Sequence, residues 1–195
     1  MKNNALFIQR LGAFLVDIII IAFIASLISM PFINFDNVEK LKNEITNLSK
    51  SVINEDINYK TYINEYSSVY FQLEKQQAPY LISSIIIFIL YFIVLQYYSG
   101  QTLGKKLFKI KLESTRKHLT INQMVVRGLL INYILLYLIE FAYIIFGTDR
   151  SYFYVVGTFA IIQYTLMIVS SIMIMFRKDR LGLHDLVCRT KVVRC

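Results

Sequence analysis

An acid inside an apolar run long enough to cross a bilayer constrains this chain more than any other feature. Residues Arg10 to Ile33 read RLGAFLVDIIIIAFIASLISMPFI, with Asp17 among the isoleucines. A charged residue at the centre of a membrane helix costs roughly 2.5–3.5 kcal/mol on insertion scales, so the acid needs a partner or a task. Seven residues of α-helix rise about 10 Å and make nearly two turns, which puts Arg10 and Asp17 on one face. That face is expected to point into protein, not lipid. The run is too long for the core of a signal peptide, carries a charge and ends without a small-residue cleavage site. It reads as an uncleaved first span.

The rest of the composition agrees. Hydrophobic residues make up 56% of the chain, aromatics 14%, and the mean hydropathy is +0.51, values of an integral membrane protein. A net charge of +8 then fits basic loops held at an anionic lipid surface better than a nucleic-acid partner. The two cysteines, Cys188 and Cys195, both fall in the last segment and are expected to be reduced thiols if that segment is cytoplasmic. With His118 and His184 they make no zinc-ligand spacing.

Between residues 34 and 79 the character changes. Asp36 and Glu39 resemble a helix-opening pair. Val38, Leu41, Ile45, Leu48 and Val52 follow at helical spacing, and Tyr59, Tyr62, Tyr66, Val69 and Leu73 resume it after the polar break Asn54-Glu55-Asp56. Because the chain must return to the membrane, the segment is expected to be two antiparallel helices inserted between the first and second spans. The plainer reading of the tyrosines packs one of these helices on the other; an exposed tyrosine face that binds a partner is the alternative.

Tyr80–Tyr98 is an uncharged second span with tyrosines at both ends. Gly100 and Gly104 then bracket a turn, Lys105, Lys106, Lys109 and Lys111 crowd after it, and Leu107–Leu112 alternates like a short strand. Thr120 with Gln123 opens a helix. Arg127 stands at the mouth of a third span, Gly128–Phe146, which contains Glu140. A turn, GTDRS, leads to a fourth span, Tyr152–Phe176, and the tail ends in a second candidate strand, Thr190–Val193.

Charge orients the spans. Residues 34–77 hold five lysines and seven acids, residues 99–127 seven basic residues and one acid, and the tail from Arg177 six basic residues and two acids. The positive-inside rule then puts both termini and the middle loop in the cytoplasm and the helical hairpin outside. The expected fold is an all-α membrane protein of one domain, residues 1–195: a four-transmembrane-helix bundle with an extracytoplasmic helical hairpin and room for a small cytoplasmic β element.

Arg10, Asp17, Arg127 and Asp185 converge at the cytoplasmic end in this topology, and bidentate arginine pairing would keep Asp17 ionised. Glu140 lies deeper, without a basic residue at its depth, and is expected to take up a proton unless a polar group such as Gln163 serves it. Together Asp17 and Glu140 suggest a proton or cation relay. The plainer readings are an arginine pair that staples helices, and an interhelical hydrogen bond. His184 beside Asp185 fits a proton shuttle or an anchor for the tail. Lys105, Lys106, Lys109 and Lys111 read as one solvated or lipid-facing patch. There is no phosphate loop, nucleophile motif or metal triad, so neither an enzyme nor a cofactor is expected.

These residues carry a resemblance. Arg10-Leu11-Gly12-Ala13-Phe14-Leu15-Val16-Asp17, Gly100-Gln101-Thr102-Leu103-Gly104-Lys105-Lys106-Leu107-Phe108-Lys109-Ile110, Leu119-Thr120 with Arg127, and Leu183-His184-Asp185-Leu186 through Val192-Val193 follow in the order of the RDD family. The chain resembles these small multi-pass bacterial membrane proteins, named for one arginine and two aspartates, with Asp185 as the second aspartate. The long segment 34–79 departs from the shorter connection usual there. The resemblance implies a plasma-membrane protein, and transport of unknown ligands or sodium–proton exchange has been associated with the family. Two functions follow: movement of a small cation or proton, with Asp17 and Glu140 titrating and Arg10 and Arg127 tuning them, or a non-transporting accessory role in which the hairpin binds a partner. Anionic lipid and further copies of the chain, or a larger complex, are the expected partners.

Overall fold

The first helix presents a buried stripe one residue wide. In the computed structural model, which describes residues 4–54, 57–116 and 118–195, α1 spans Phe7–Ser29 and buries Ala13, Asp17, Ile21, Ala25 and Ser29. The four-residue spacing keeps one face turned inward, and the small residues let neighbours approach closely. Leu15, Ile19, Phe23 and Leu27, on the other faces, are more than half exposed. Asp17 is 1% exposed.

A short 3₁₀ turn, Met30–Phe32, leads into α2 (Phe35–Ile53), which packs against α3 (Tyr59–Gln76). Asn34, not Asp36, caps α2, accepting from the Asn37 N–H at 3.1 Å, because the cap must precede the first helical residue. Asn58 does the same for α3 at 2.8 Å. Glu55 and Asp56 of the expected polar break lie outside the described residues. The tyrosines do not serve the α2–α3 contact alone. Tyr66 meets Phe153 edge-on, and Tyr70 and Phe71 both pack on Tyr152, so α3 is fastened to the start of α9 (Asp149–Phe176).

The second apolar segment, Ala78–Ser99, is not a uniform helix. It runs as α4 (Ala78–Phe88), a π-helical stretch (Ile89–Leu95) and α5 (Gln96–Ser99), closed by Gly100 in the left-handed region at φ +67°. The expected strand from Leu107 begins later. Residues Leu103–Leu107 form α6, capped by Thr102, and only Ile110–Ser114 is β1. β1 pairs antiparallel with β2 (Thr190–Arg194), Leu112 opposite Val192, and the Ala5 N–H adds a bond of 2.8 Å to Val192.

The expected third span is broken. α7 (Ile121–Ile131) and α8 (Ile134–Phe146) are bent by 72° at Asn132-Tyr133. Tyr133 sits at φ +59°, which costs an L-residue about 1–2 kcal/mol. Its ring is held by Phe14, Tyr137 and Tyr164. One carbonyl freed at the break, Leu130, accepts from the buried Gln163 amide at 2.7 Å. After α9, α10 (Leu183–Cys188) returns the tail under α7 and α9. Among the described residues three helices are long and apolar enough to cross a membrane, four if the bent pair is one span.

Candidate functional site

Asp185 ties the ends of the chain to its middle. One carboxylate oxygen accepts from the Arg127 guanidinium at 2.5 Å, the other from Arg10 at 2.5 Å and from the Gly182 N–H at 3.1 Å. Each arginine gives one nitrogen to one oxygen, so Asp185 bridges the two guanidinium groups. Arg127 reaches on to the Thr190 hydroxyl at 2.9 Å, and Arg10 to the Arg180 carbonyl at 2.9 Å. The Asp185 side chain is fully buried. Burial alone would raise its pKa, but Arg127, His184 and Arg10 hold it well below the usual carboxylate range.

His184 is pushed down to about 4, by burial first and by Arg127 next, so it is neutral at pH 7. Its Nδ1 lies 2.5 Å from the Ser170 hydroxyl and its Nε2 3.3 Å from Asp185. The tautomer with Nε2–H toward Asp185 and Nδ1 accepting from Ser170 satisfies both contacts. A neutral ring locked this way anchors α10 to α9.

Asp17 is not paired with an arginine. It accepts from the Tyr91 hydroxyl at 2.6 Å, the Thr102 hydroxyl at 2.5 Å and the Gly104 N–H at 2.7 Å. Hydrogen bonds to a charged group are worth about 1.5–3 kcal/mol each, enough together to offset burial of the carboxylate. Tyr91 also accepts from the Leu103 N–H at 3.0 Å, so Asp17 organises the whole entry to α6. Gly104 must be glycine: a Cβ there would fall on the Ala13 carbonyl and the Asp17 carboxylate.

A cavity of about 160 Å³ is lined among others by Arg10, Asp17, Gln96, Lys105, Arg127 and His184. Two fully buried donors at it, Arg10 Nε and Gln96 Nε2, have no hydrogen-bond partner among the described residues. Each such group costs about 1–3 kcal/mol. The four lysines therefore do not make one patch. Lys106 and Lys109 are exposed and Lys111 is half-buried beside Gly100. Lys105 is half-buried and lines the cavity, and desolvation there, with Arg127 next, pushes it down to about 7.

Glu140 belongs elsewhere. It accepts from the Tyr152 hydroxyl at 3.1 Å and faces Glu74 of α3, while Gln163 is engaged at the α7–α8 break. Asp17 and Glu140 thus share no hydrogen-bond partner among the described residues. Among the described residues no group of three His, Cys, Asp or Glu could hold a metal ion. Cys188 and Cys195 are free thiols.

The family model described as the RDD family matches residues 4–189, nearly the whole chain. The chain belongs to the RDD family. No curated protein and no solved structure matches it. The arginine and both aspartates singled out from the sequence lie within the RDD match, as does the cavity wall except Val192. What sequence reasoning missed in this RDD protein are the donors to Asp17, Tyr91 and Thr102, and the unpaired Gln96. The uncharged second span hid Tyr91 and Gln96 as ordinary belt residues. The one available signal was Gln96 itself, an amide in an otherwise apolar stretch.

Proposed function

We propose that this RDD protein is a four-span plasma-membrane protein that binds a small charged solute in the cavity at the Arg10–Asp185–Arg127 end of its bundle and moves it across the bilayer. Both termini and the α6–β1 loop then lie in the cytoplasm, with α2 and α3 outside, as the basic residues of the loop and tail support. The observation that carries the reading is the cavity itself: charged groups on its wall, with unpaired donors, in a chain whose helices otherwise present leucine, isoleucine and phenylalanine outward. The protein is read as a binding and transport protein, not an enzyme, and its exposed Lys106 and Lys109 as contacts for anionic lipid. The accessory reading loses support because Tyr66 and Tyr70 are engaged with α9 and do not form a free face.

Current across proteoliposomes after concentration jumps of protons, Na⁺, K⁺ and small anions tests it. The comparison is with Ser171→Trp, which fills the cavity at a wall position. We expect current from at least one solute in the wild type and none in the folded variant. Silence of the wild type to every charged solute refutes transport.

A further inference from the structure

The cavity wall has more donors than its acids can use. Asp17 is occupied by Tyr91, Thr102 and Gly104, and Asp185 by Arg10, Arg127 and Gly182. Two arginines stand against two carboxylates, and the Lys105 amine remains with no acid of its own. Among the described residues Lys105 makes no ion pair or hydrogen bond through its ammonium. Beside it on the same wall stand the unpaired Arg10 Nε and Gln96 Nε2, on side chains about nine-tenths buried or more. Three donors without an acceptor, on one mostly apolar wall, ask for an anion.

The rest of the wall says what the anion carries. Leu11, Phe14, Phe92, Met167 and Ile174 make most of it apolar. A cavity of about 150 Å³ with such walls takes up benzene, and this one is of that size. A fully hydrated ion such as phosphate would leave these walls unmatched. A polar head on a compact apolar body fits both halves.

We propose that the cavity binds a small amphiphilic monocarboxylate, its carboxylate received by Lys105, Arg10 Nε–H and the Gln96 amide and its apolar body by Phe14, Phe92 and Met167. The same chemistry is offered by a free organic acid and by the head of a fatty acid. The proposal rests on the reading of the cavity as the solute site and names the solute class.

Benzoate is the probe, with benzyl alcohol as its uncharged counterpart and palmitate as the lipid counterpart. Each is titrated by calorimetry into the purified full chain in a non-ionic detergent. Benzoate is expected to bind in the millimolar range or tighter, and benzyl alcohol at least about tenfold more weakly. Lys105→Met and Gln96→Leu are each expected to weaken benzoate about tenfold or more. Gln96→Leu removes a buried amide nitrogen that has no partner, and Lys105→Met a half-buried amine that makes no ion pair, so without ligand both are expected to melt at or above the wild-type temperature. That separates loss of binding from loss of fold. Binding of palmitate in place of benzoate, with the same sensitivity to Lys105→Met, assigns the site to a lipid anion of the proposed class. Equal binding of benzoate and benzyl alcohol, indifference to both substitutions, or no binding of either carboxylate overturns the proposal. Cavity-dependent current of a cation with no carboxylate binding overturns it alone and leaves the transport reading standing; carboxylate binding without current does the reverse.

Discussion

Asp185→Asn is the substitution that tests the clasp most directly. Asparagine keeps the shape of the side chain and still accepts from the Gly182 N–H, so the start of α10 is preserved while the charge is removed. Two guanidinium groups, with side chains only 9% and 6% exposed, then lose the carboxylate that holds both. Breaking a buried ion pair by removing one partner costs about 3–5 kcal/mol, because an uncompensated charge is left behind. For a chain of this length that corresponds to a fall in melting temperature of about 6–20 °C. Thermal unfolding in detergent, followed by the reactivity of the buried Cys188 thiol on α10, reads it where it happens. Replacing the whole clasp by apolar residues, Arg10→Met with Arg127→Met and Asp185→Leu, should restore most of the loss, since an intact buried triad is close to neutral against hydrophobic packing. If Asp185→Asn melts within about 2 °C of wild type, the arginines find other partners and the clasp does not hold the tail.

Gly104→Ala puts a methyl group where the Ala13 carbonyl and the Asp17 carboxylate stand, and should lower stability by about 1–3 kcal/mol in the same melting assay. Acid should loosen α10 before it protonates Asp185. The shift of His184 from 6.5 to about 4 means the unfolded chain binds the proton first. Stability therefore falls as pH drops below the unfolded value, by about 3 kcal/mol in all; pH-dependent melting should show this limb and His184→Asn should remove it. Burial raises Glu74, so its contribution to docking of α3 is present at low pH and lost as pH rises through the folded value. Glu74→Gln should accordingly protect α3 from hydrogen exchange at neutral pH relative to wild type.

Where periodicity is short-range and one-sided, the chain could be read directly. The inward face of α1 with Asp17, the paired helices α2 and α3, and the Thr120–Gln123 capping box depend on residues within a few positions of one another. The break at Asn132-Tyr133 could not be read, because neither glycine nor proline marks it. The aromatic rings of Phe14 and Tyr164, distant in sequence, hold the strained residue, and Gln163 supplies the missing donor. The alternation at Leu107–Leu112 also looked like strand from end to end, yet the helix capped by Thr102 runs into Leu107 and the strand begins only at Ile110. The decisive group there is Asp17, 85 residues away, which receives the Thr102 hydroxyl. The charges behave likewise: their convergence was legible from topology, but which acid each arginine takes was not. Arg10 and Asp17 share a helix face and still choose different partners, because α10 brings Asp185 within reach of Arg10 while α6 brings neutral donors to Asp17.

That division of partners is what leaves a cavity at all. Had Arg10 paired with Asp17 along α1, the two charges would have cancelled locally and the surrounding helices could have closed over them. Instead Asp17 is turned toward Tyr91 and α6, and Arg10 toward the tail, so the space between them is walled by the two least regular helices. The π stretch at Ile89–Leu95 precedes Gln96, and Ile131 and Asn132 of the break after α7 line the same cavity. Both irregularities cost backbone stability relative to straight spans. In a bundle selected only to pack, straight helices would be the lower state. Their coincidence at one cavity, beside an ammonium and two donors that lack acceptors, is the expectation for a site kept open for a ligand.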